Sequence, residues 1–324
     1  MPPVIEVLGE VVVDLVEQSP GVFRAYPGGS PLNVAVGLGR LGRRTALRAR
    51  IGADAFGPMF RRHLAGSGVD GRGLVAASQP STLAVASLDA AGVASYDFWL
   101  QGAADWQWTP AELAAPLGTD VRALHTGSLA LEVEPGASLI VDLLRRERDR
   151  GQVTISYDPN VRLARGGDTA AGRARVEAVV RLAHLVKASD DDLAWLYPGD
   201  GPREVARRWL ELGPGLVVVT LGAAGAYAAT AGGVTQHRPA RPVTVVDTVG
   251  AGDAFTAGLL DGLAAAGALG SGGHTALAGL DAAPLARLLD RAGLVAALTC
   301  ARAGADPPTL AELPPDGRRP DRTH

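Results

Sequence analysis

The 324-residue sequence contains a single cysteine, Cys300, and a single lysine, Lys187. One cysteine excludes a disulfide within the chain and a zinc site built from cysteines. No run of 18 apolar residues occurs, so the sequence predicts no membrane-spanning helix. The formal net charge is -3, whereas general nucleic-acid binding requires an excess of basic residues. We therefore expect a cytoplasmic protein that binds neither nucleic acid nor a membrane.

The composition is that of a chain with a large core, since 47% of the residues are hydrophobic and 20% are charged. Short apolar runs alternate with longer amphipathic segments along most of the sequence. This alternation predicts an α/β protein with a mainly parallel sheet that helices cover on both faces. The predicted strands are Val4–Gly9, Arg122–Thr126, Val153–Tyr157, Leu185–Lys187 and Leu216–Thr220. The predicted helices are Ser138–Arg150, Thr169–Ala183 and Pro202–Leu212.

Two segments depart from this alternation, Val11–Tyr26 and Leu83–Leu100. Each has the pattern strand-turn-strand, and the second has its turn at residues 89–92. We expect them to form a small sheet that projects from the main one as a lid, which comprises residues of about 11–27 and 82–101. The exposed edges of such a sheet are often covered by a second subunit, which favours a homodimer formed through the lid.

The rest of the chain gives no sign of a second domain. Neither an internal repeat nor a linker divides it, so we expect residues 1–313 to form one domain. The tail that follows, residues 314–324, is polar. We expect this tail to be mobile.

The run Gly37-Leu38-Gly39-Arg40-Leu41-Gly42 matches the G-x-G-x-x-G pattern of dinucleotide-binding folds. That function requires the run to follow a strand directly and to open a helix. Here Pro31, which suits a first helical turn, begins a helix upstream of the run. We therefore expect the glycines inside that helix, with Gly42 as its C-terminal cap, and we disfavour a dehydrogenase. A Walker A loop is excluded because Lys187 follows Val186 rather than a glycine.

The segment Asp247–Phe255 carries the clearest sign of chemistry. We predict a strand at Val243–Val246 before it and a helix at Ala254–Ala266 after it, with a glycine-rich turn between them. Such a turn presents backbone N–H groups at the positive end of a helix, which favours an anion. Asp253 would repel that anion, unless it removes a proton from an attacking hydroxyl while the run Gly250–Gly252 holds a phosphoryl group. A helix cap is an equally good interpretation of this segment alone.

A second group of polar residues lies at the end of the first lid segment. Gly28 and Gly29 allow a ligand to approach the backbone closely, and Asn33 offers both a donor and an acceptor. The carboxylate of Asp14 can accept hydrogen bonds from two adjacent hydroxyls of a polyol. The alternative is that Asp14 is merely an exposed residue of a strand. A polyol bound here would supply the hydroxyl that Asp253 deprotonates.

Both segments resemble the two sequence motifs of the ribokinase-like, or PfkB, carbohydrate kinases. The first motif, G-G-x-x-x-N-x-A-x-x-x-x-x-L-G, is matched from Gly28 to Gly42, and the second, D-T-x-G-A-G-D-x-F, from Asp247 to Phe255. Intermediate markers are Ile51–Gly57, Asp158–Arg162 and Thr220–Gly225. The resemblance covers about residues 4–310. It implies a three-layer α/β/α sandwich with a small β lid, and transfer of the γ-phosphoryl group of ATP to a sugar hydroxyl.

The resemblance also implies roles for individual residues. Asp253 would be the general base, and the anion hole would be formed by Gly250, Ala251 and Gly252. The sugar would be held by Asp14, Gly28, Gly29 and Asn33, with a cation supplied by Arg162. The phosphate and ribose side of the nucleotide would be bound by Thr220, Gly222 and Gly225.

The sequence departs from the family at the N-x-x-E motif, where Ser189 replaces Asn and Asp192 replaces Glu. The aspartate is one carbon shorter, but it can still orient magnesium-bound water. Asp190 and Asp191 fit the acidic first turn of a helix. Lys187 precedes them and either faces the nucleotide phosphate or is exposed to solvent.

Many relatives also bind a monovalent cation beside the anion hole, so the resemblance implies K⁺ in addition to ATP and Mg²⁺. The carboxylate of Asp247 and the carbonyl of Val249 would be two of its ligands. Further carbonyl ligands would lie near Thr299, Arg302 and Gly304.

Fructose is the expected sugar, because Gly9-Glu10 before Asp14, Tyr26-Pro27 before the glycine pair, and the segment from Cys300 to Ala305 are similar to bacterial fructokinases. The lid segment Tyr96–Leu100 departs from the Phe-Tyr-Arg that is common there. Kinases of 2-keto-3-deoxygluconate, ribose or a nucleoside are alternatives with the same chemistry. A protein that binds a nucleotide or sugar without catalysis is an alternative of a different class, against which the intact Asp253 argues.

Overall fold

The computed structural model describes residues 3–88, 94–162 and 167–314. Its strands form one sheet of nine strands and one of four. In chain order the strands are β1 (Val4–Leu8), β2 (Val12–Ser19), β3 (Val22–Gly28), β4 (Arg44–Gly52), β5 (Val69–Ala77), β6 (Thr82–Leu88), β7 (Ala94–Trp99), β8 (Val121–Gly127), β9 (Thr154–Asp158), β10 (Leu185–Ser189), β11 (Leu216–Thr220), β12 (Ala226–Thr230) and β13 (Thr235–Arg238).

The large sheet has the order β13-β12-β11-β10-β9-β8-β1-β4-β5. All neighbours from β11 to β5 pair in parallel, whereas β12 and β13 are added in antiparallel orientation. The carboxyl ends of β8, β9, β10 and β11 therefore lie along one edge of the sheet, where parallel α/β folds place their ligands. The five strands predicted from the sequence are all present, each within two residues of the expected bounds.

The small sheet has the order β3-β2-β6-β7. Its central pair, β2 and β6, is parallel, and each outer strand pairs with its neighbour in antiparallel orientation. Both predicted lid segments therefore contribute two strands to one separate sheet, as expected. The turn predicted at residues 89–92 lies outside the described residues, as does the tail from residue 315 onward. We call the four-stranded sheet the lid.

Helices cover both faces of the large sheet. In chain order they are α1 (Ser30–Arg40), α2 (Gly57–Gly66), α3 (Pro110–Ala114), α4 (Gly136–Arg150), α5 (Thr169–Val180), α6 (Asp190–Leu196), α7 (Pro202–Leu212), α8 (Ala251–Ala265), α9 (Gly273–Ala278) and α10 (Ala282–Cys300). Within the residues described, each helix is too short or too polar to span a bilayer.

The core is divided in two by the large sheet, because successive side chains of a strand point to opposite faces. On β11, Val217 and Val219 join the cluster that contains Leu143 of α4. Leu216 and Val218 join the cluster that contains Leu260 of α8. The expected three-layer α/β/α sandwich with a small lid is confirmed.

The G-x-G-x-x-G run lies in α1 and just beyond its end, as expected from its position after Pro31. Gly37 is needed for packing, because a Cβ there would lie 2.7 Å from Cβ of Ala257 in α8. Gly42 has φ +73°, and the next N–H, that of Arg43, donates to the carbonyl of Leu38, which is the geometry of a glycine cap. These glycines terminate and pack a helix.

The strand predicted at Val243–Val246 is wrong. These residues have no strand partner in the described structure, and the side chains of Val245 and Val246 are 58% and 62% exposed. The N–H groups of Val246 and Asp247 instead donate to the carbonyl of Cys300 at the end of α10. A β-branched run becomes a strand only when a neighbouring strand supplies a ladder, and the large sheet already ends at β13.

Candidate active site

The site begins where α8 starts after a glycine. Gly250 has φ +74° and is the N-cap of α8. A Cβ at this position would lie 2.9 Å from Cα of Ala305, so backbone conformation and space both require glycine. The N–H of Ala251 donates to the carbonyl of Thr248 at 3.2 Å, and it is therefore engaged within the turn. Gly252 and Asp253 lie in the first turn, where helix geometry leaves N–H groups without an intrahelical acceptor.

The carboxylate of Asp253 is held by two residues of α1. Ser30 Oγ donates to Oδ1 at 2.6 Å, and Asn33 Nδ2 donates to Oδ2 at 2.9 Å. Burial raises the pKa of Asp253 above its usual value, although Ser30, Asn33, Lys187 and Arg162 all act in the opposite direction. A carboxylate with a raised pKa and a fixed orientation is suited to accept a proton near neutral pH.

Asp14 faces the same space from the lid. A Cβ on Gly28 would overlap Oδ2 of Asp14, and a Cβ on Gly29, whose φ is +101°, would lie 2.8 Å from the carbonyl oxygen of Glu10. Burial, together with the negative charge of Asp253, raises the pKa of Asp14 to about 6. The half-buried Asp14 is not the exposed strand residue of the alternative interpretation. Gly28 thus leaves room for the Asp14 carboxylate, and Gly29 lets the chain pass close to the backbone of Glu10.

Lys187 lies beneath the start of α8. Its side chain is 5% exposed, and Nζ forms an ion pair with Oδ2 of Asp158 at 2.8 Å. A Cβ on Gly252 would lie 3.0 Å from Nζ. Burial alone would lower the pKa of Lys187, but Asp158, Asp192 and Asp253 outweigh it and the pKa is raised. The alternative of a solvent-exposed Lys187 is therefore wrong, and a fixed positive charge adjoins the first turn of α8.

Ser189 and Asp192 form the capping box of α6. Asp192 Oδ2 accepts from the hydroxyl of Ser189 at 2.6 Å, and Oδ1 accepts from the N–H of Val161 at 3.0 Å. Asp190 and Asp191 lie in the first turn of this helix, as expected. The carboxylate of Asp192 is thereby oriented at the edge of the sheet where β10 ends.

Thr220, Gly222 and Gly225 surround the turn between β11 and β12. Thr220 ends β11 directly beside Ser189 on β10. Gly222 has φ +52° and Gly225 has φ +96°, and a Cβ on Gly225 would overlap the carbonyl oxygen of Arg238. These three predicted nucleotide residues therefore share one edge with Ser189.

Asp247 joins the loop before α8 to the loop after α10. Its Oδ1 accepts from the N–H of Val249 at 3.0 Å, and its Oδ2 accepts from the N–H of Gly304 at 2.8 Å. Thr299 bonds through its hydroxyl to the carbonyl of Val295, and the side chain of Arg302 pairs with Glu312. Asp247, Val249 and Gly304 are thus brought together, whereas the contacts of Thr299 and Arg302 are to Val295 and Glu312. Across the residues that the structure describes, no group of three or more His, Cys, Asp or Glu side chains is arranged to hold a metal ion.

Arg162 lies at the end of the described segment 94–162. Its backbone N–H donates to Glu132 at 2.9 Å, and its charge lowers the pKa of Asp253. The guanidinium itself donates to the carbonyl of Val161 at 3.4 Å.

Three side chains that contact the candidate site received no role from the sequence. Ser30 occupies an unspecified position of the first motif, so its bond to Asp253 had no signal. Asp158 belongs to a marker that was recognised, but only Arg162 of that marker received a role. Glu10, which is 1% exposed, was noted as a mark of fructokinases and given no contact.

Known carbohydrate kinases are similar to this chain in sequence and in fold. The model of the pfkB family carbohydrate kinases matches residues 3–312. A fructokinase of Klebsiella pneumoniae is 39% identical over 263 residues, which are 81% of this chain and 84% of that protein. The structure of a fructokinase with bound ATP from Xylella fastidiosa is similar with a TM-score of 0.83 and 26% identity, over 94% of each chain. A double-mutant fructokinase of Vibrio cholerae O395 with fructose, ADP and potassium ion bound is similar with a TM-score of 0.80 and 29% identity, over 94% of each chain.

Proposed function

Because the chain belongs to the pfkB family of carbohydrate kinases, we propose that it transfers the γ-phosphoryl group of ATP to a hydroxyl of fructose and forms fructose 6-phosphate. One observation carries the proposal. The carboxylate of Asp253, fixed by Ser30 and Asn33, lies in the first turn of α8. A base and an anion site therefore share a single turn of helix.

In this mechanism Asp253 takes the proton of the attacking hydroxyl. Its raised pKa makes it a better base than an exposed aspartate, and its two hydrogen bonds aim it at one position. The loss of the proton increases the negative charge on the sugar oxygen as that oxygen approaches phosphorus.

The transferring phosphoryl group binds at the start of α8. The first-turn N–H groups and the helix dipole favour negative charge there, and the run Gly250–Gly252 lets that charge approach the backbone. Lys187 adds a full positive charge beside Gly252. Charge that develops in the transition state therefore meets groups that are already in place.

The sugar binds between the lid and the large sheet. Asp14 accepts from sugar hydroxyls, and Gly28 and Gly29 keep the backbone close to the ring. Asn33 uses its amide nitrogen on Asp253, so its oxygen is the group that we assign to the sugar. Arg162 faces the sugar or the phosphoryl group from the other side.

The nucleotide binds along the edge formed by Ser189, Thr220, Gly222 and Gly225. We assign Mg²⁺ to Asp192, through water, because hydrogen bonds from Ser189 and Val161 already orient that carboxylate. Bound Mg²⁺ would neutralise phosphate charge.

We assign K⁺ to the loops that Asp247 joins. The bonds of Asp247 to Val249 and Gly304 join the loop before α8 to the loop after α10. We propose that carbonyl groups near Val249, Thr299, Arg302 and Gly304 surround the cation there. Oxygen atoms of this kind suit a hard cation.

We further propose a homodimer formed through the lid. The outer strands β3 and β7 carry exposed apolar side chains, of which Phe23 is 42% and Trp99 is 65% exposed. Exposed apolar residues on an edge strand favour burial by a second copy. Light scattering should give twice the monomer mass, and Trp99→Glu should reduce it. A cytoplasmic location is proposed because the reaction consumes ATP.

The proposal is tested by measuring ADP formation with fructose, ribose, 2-keto-3-deoxygluconate and adenosine. We expect the highest kcat/KM with fructose, and fructose 6-phosphate as the product by NMR. A higher kcat/KM with another acceptor would support the kinase assignment but show that fructose is not the preferred substrate. Saturable binding of nucleotide and sugar without ADP formation would favour the non-catalytic alternative.

A further inference from the structure

Ser128 and Asn160 are the two non-glycine residues with positive φ in the described parts of the chain, at +57° and +37°. They follow neighbouring strands, β8 and β9, and Nδ2 of Asn160 donates to Oγ of Ser128 at 3.2 Å. L-amino acids adopt this backbone conformation at an energetic cost, and it persists where its surroundings impose it. Here the two strained residues hold each other.

From Ser128 the contacts continue toward the lid. Its hydroxyl is hydrogen-bonded to the carboxyl group of Glu10, and Oε2 of Glu10 accepts from the N–H of Ala130 at 3.0 Å. Glu10 lies between β1 of the large sheet and β2 of the lid. Its carbonyl oxygen also packs against Gly29. Glu10 is therefore the point at which the lid strand that carries Asp14 leaves the body of the protein.

From Asn160 the contacts continue toward the anion site. The N–H of Asn160 donates to Oδ1 of Asp158 at 3.2 Å, and Oδ2 of the same carboxylate holds Lys187. Nζ of Lys187 adjoins Gly252 in the first turn of α8. A continuous series of polar contacts thus runs from Glu10, where the lid begins, to Gly252, where we propose that the phosphoryl group binds.

We propose that Ser128 and Asn160 are positioning residues that couple the lid to Lys187. A sugar bound by Asp14 fixes the position of β2. The series of contacts from Glu10, at the start of β2, then transmits that position to the Asp158–Lys187 pair. Sugar binding would then improve nucleotide binding and place Lys187 for transfer. The inference rests on the proposed function only in assigning sugar to Asp14 and phosphate to α8.

The competing explanation is that these contacts only stabilise the fold. A structural role predicts a lower melting temperature with unchanged communication between the sites. A positioning role predicts that sugar no longer tightens nucleotide binding. The two roles are separated by measuring the dissociation constant of a non-hydrolysable ATP analogue by calorimetry, with and without saturating sugar, together with kcat and KM.

Four variants break the contact in different ways. Asn160→Ala and Ser128→Ala remove a polar group and keep a strained position. Ser128→Gly removes the hydroxyl and relieves the strain. Asn160→Asp removes the side-chain amide that donates to Ser128, and aspartate also tolerates positive φ. This variant therefore remains informative if Asn160→Ala does not fold. Thr154→Val is the matched control, because it removes the buried acceptor of the Gly270 N–H at the opposite end of β9.

We expect sugar to tighten nucleotide binding of the unmodified enzyme by about fivefold or more, a typical coupling. The four variants should reduce this factor to about twofold or less, with kcat lowered about tenfold. Because the coupling is reciprocal, the KM for the sugar at saturating ATP should rise by about the factor that the coupling loses, whereas Thr154→Val should keep the full coupling. The double variant Ser128→Ala/Asn160→Ala should lose no more coupling than either single variant, since both interrupt one series of contacts.

Wild-type coupling near onefold would overturn the inference, and so would variants that melt earlier but retain the coupling. Retained coupling in Ser128→Gly would also overturn it, because the hydroxyl would then be dispensable. Failure of the proposed function looks different, since the unmodified enzyme would form no ADP with any sugar. If the acceptor screen favours a sugar other than fructose, the coupling is measured with that sugar.

Discussion

Ser30 Oγ donates a hydrogen bond of 2.6 Å to Oδ1 of Asp253 and so links the first residue of α1 to the first turn of α8. This bond lowers the pKa of Asp253, in opposition to burial. Ser30→Ala should therefore raise that pKa and move the acid limb of the kcat–pH profile to higher pH. Ser30→Thr keeps the hydroxyl and is the matched control. An acid limb that stays in place in Ser30→Ala would show that this bond does not tune the base.

Replacement of Asp253 by Asn should abolish proton abstraction with little change in size. We expect kcat to fall about a hundredfold or more, which is the usual contribution of a general base. Sugar binding should be largely retained, because Asn can still accept from Ser30. Turnover is measured by ADP formation and binding by calorimetry. Normal turnover would mean that another group is the base.

The two facing carboxylates predict a steep loss of activity in acid. Burial raises the pKa of Asp14 to about 6 and that of Asp253 above its usual value, and both must be ionised for sugar binding and proton removal. As pH falls, each carboxylate takes up a proton, so log(kcat/KM) should approach a slope of about two below their pKa values. In Asp14→Asn the slope should be about one. A slope of one in the unmodified enzyme would contradict the pairing.

The raised pKa of Asp14 also makes the stability of the folded protein depend on pH. Asp14 has a pKa of about 6 in the folded protein, against 3.8 for an ordinary aspartate, so the folded state binds this proton more tightly than the unfolded state does. Stability should therefore fall as pH rises from about 4 to 6. Asp14→Asn removes that loss and should be the more stable protein above pH 6, although it binds sugar more weakly. Thermal unfolding across this pH range measures both effects.

Gly28→Ala tests whether the sugar site depends on the space beside Asp14. The added Cβ would overlap the Asp14 carboxylate and displace it, so the sugar KM should rise about tenfold or more, as for the loss of one hydrogen bond to a charged group. Gly66→Ala in α2 is the control, because a Cβ there meets nothing within 4 Å. That control should gain about 0.4–1 kcal/mol of stability with unchanged kinetics. An unchanged KM in Gly28→Ala would remove Asp14 from the sugar site.

The buried Lys187–Asp158 pair separates stability from catalysis. Lys187→Met leaves Asp158 buried without its cation, which should cost about 3–5 kcal/mol of stability. In Lys187→Met/Asp158→Asn the unpaired charge is gone, so most of that stability should return. Turnover should stay low in both, because the cation beside Gly252 is missing. Recovery of kcat in the double variant would show that the Lys187–Asp158 pair stabilises the fold and does not contribute to catalysis.

The fold could be predicted where hydrophobic periodicity is strong. Leu216–Thr220 and Pro202–Leu212 have the expected bounds, since each is a clear strand or helix pattern bounded by glycine or proline. Val243–Val246 was misassigned because an apolar β-branched run carries no information about whether a partner strand is available. The exposed side chains of Val245 and Val246 show the result.

The candidate site was predicted where the chemistry is local to a motif. Gly250 at φ +74° and Asp253 in the next turn follow from one short run of residues. Ser30 could not be predicted, because its role depends on α1 and α8 packing side by side with their first turns adjacent. Lys187 was ambiguous for the same reason, since a lysine before an acidic turn can be exposed or buried.

The local pattern of residues therefore determined the α/β class, the glycine-rich turn and the candidate for the base, because backbone conformation and helix dipoles depend on near neighbours. Only the tertiary structure decided which groups face that base. Ser30 and Asn33 approach Asp253 from α1, Asp14 approaches from the lid, and Lys187 rises from β10 against Gly252. Burial and the distance between charges set the pKa values of these groups, and both quantities exist only after distant segments have packed together.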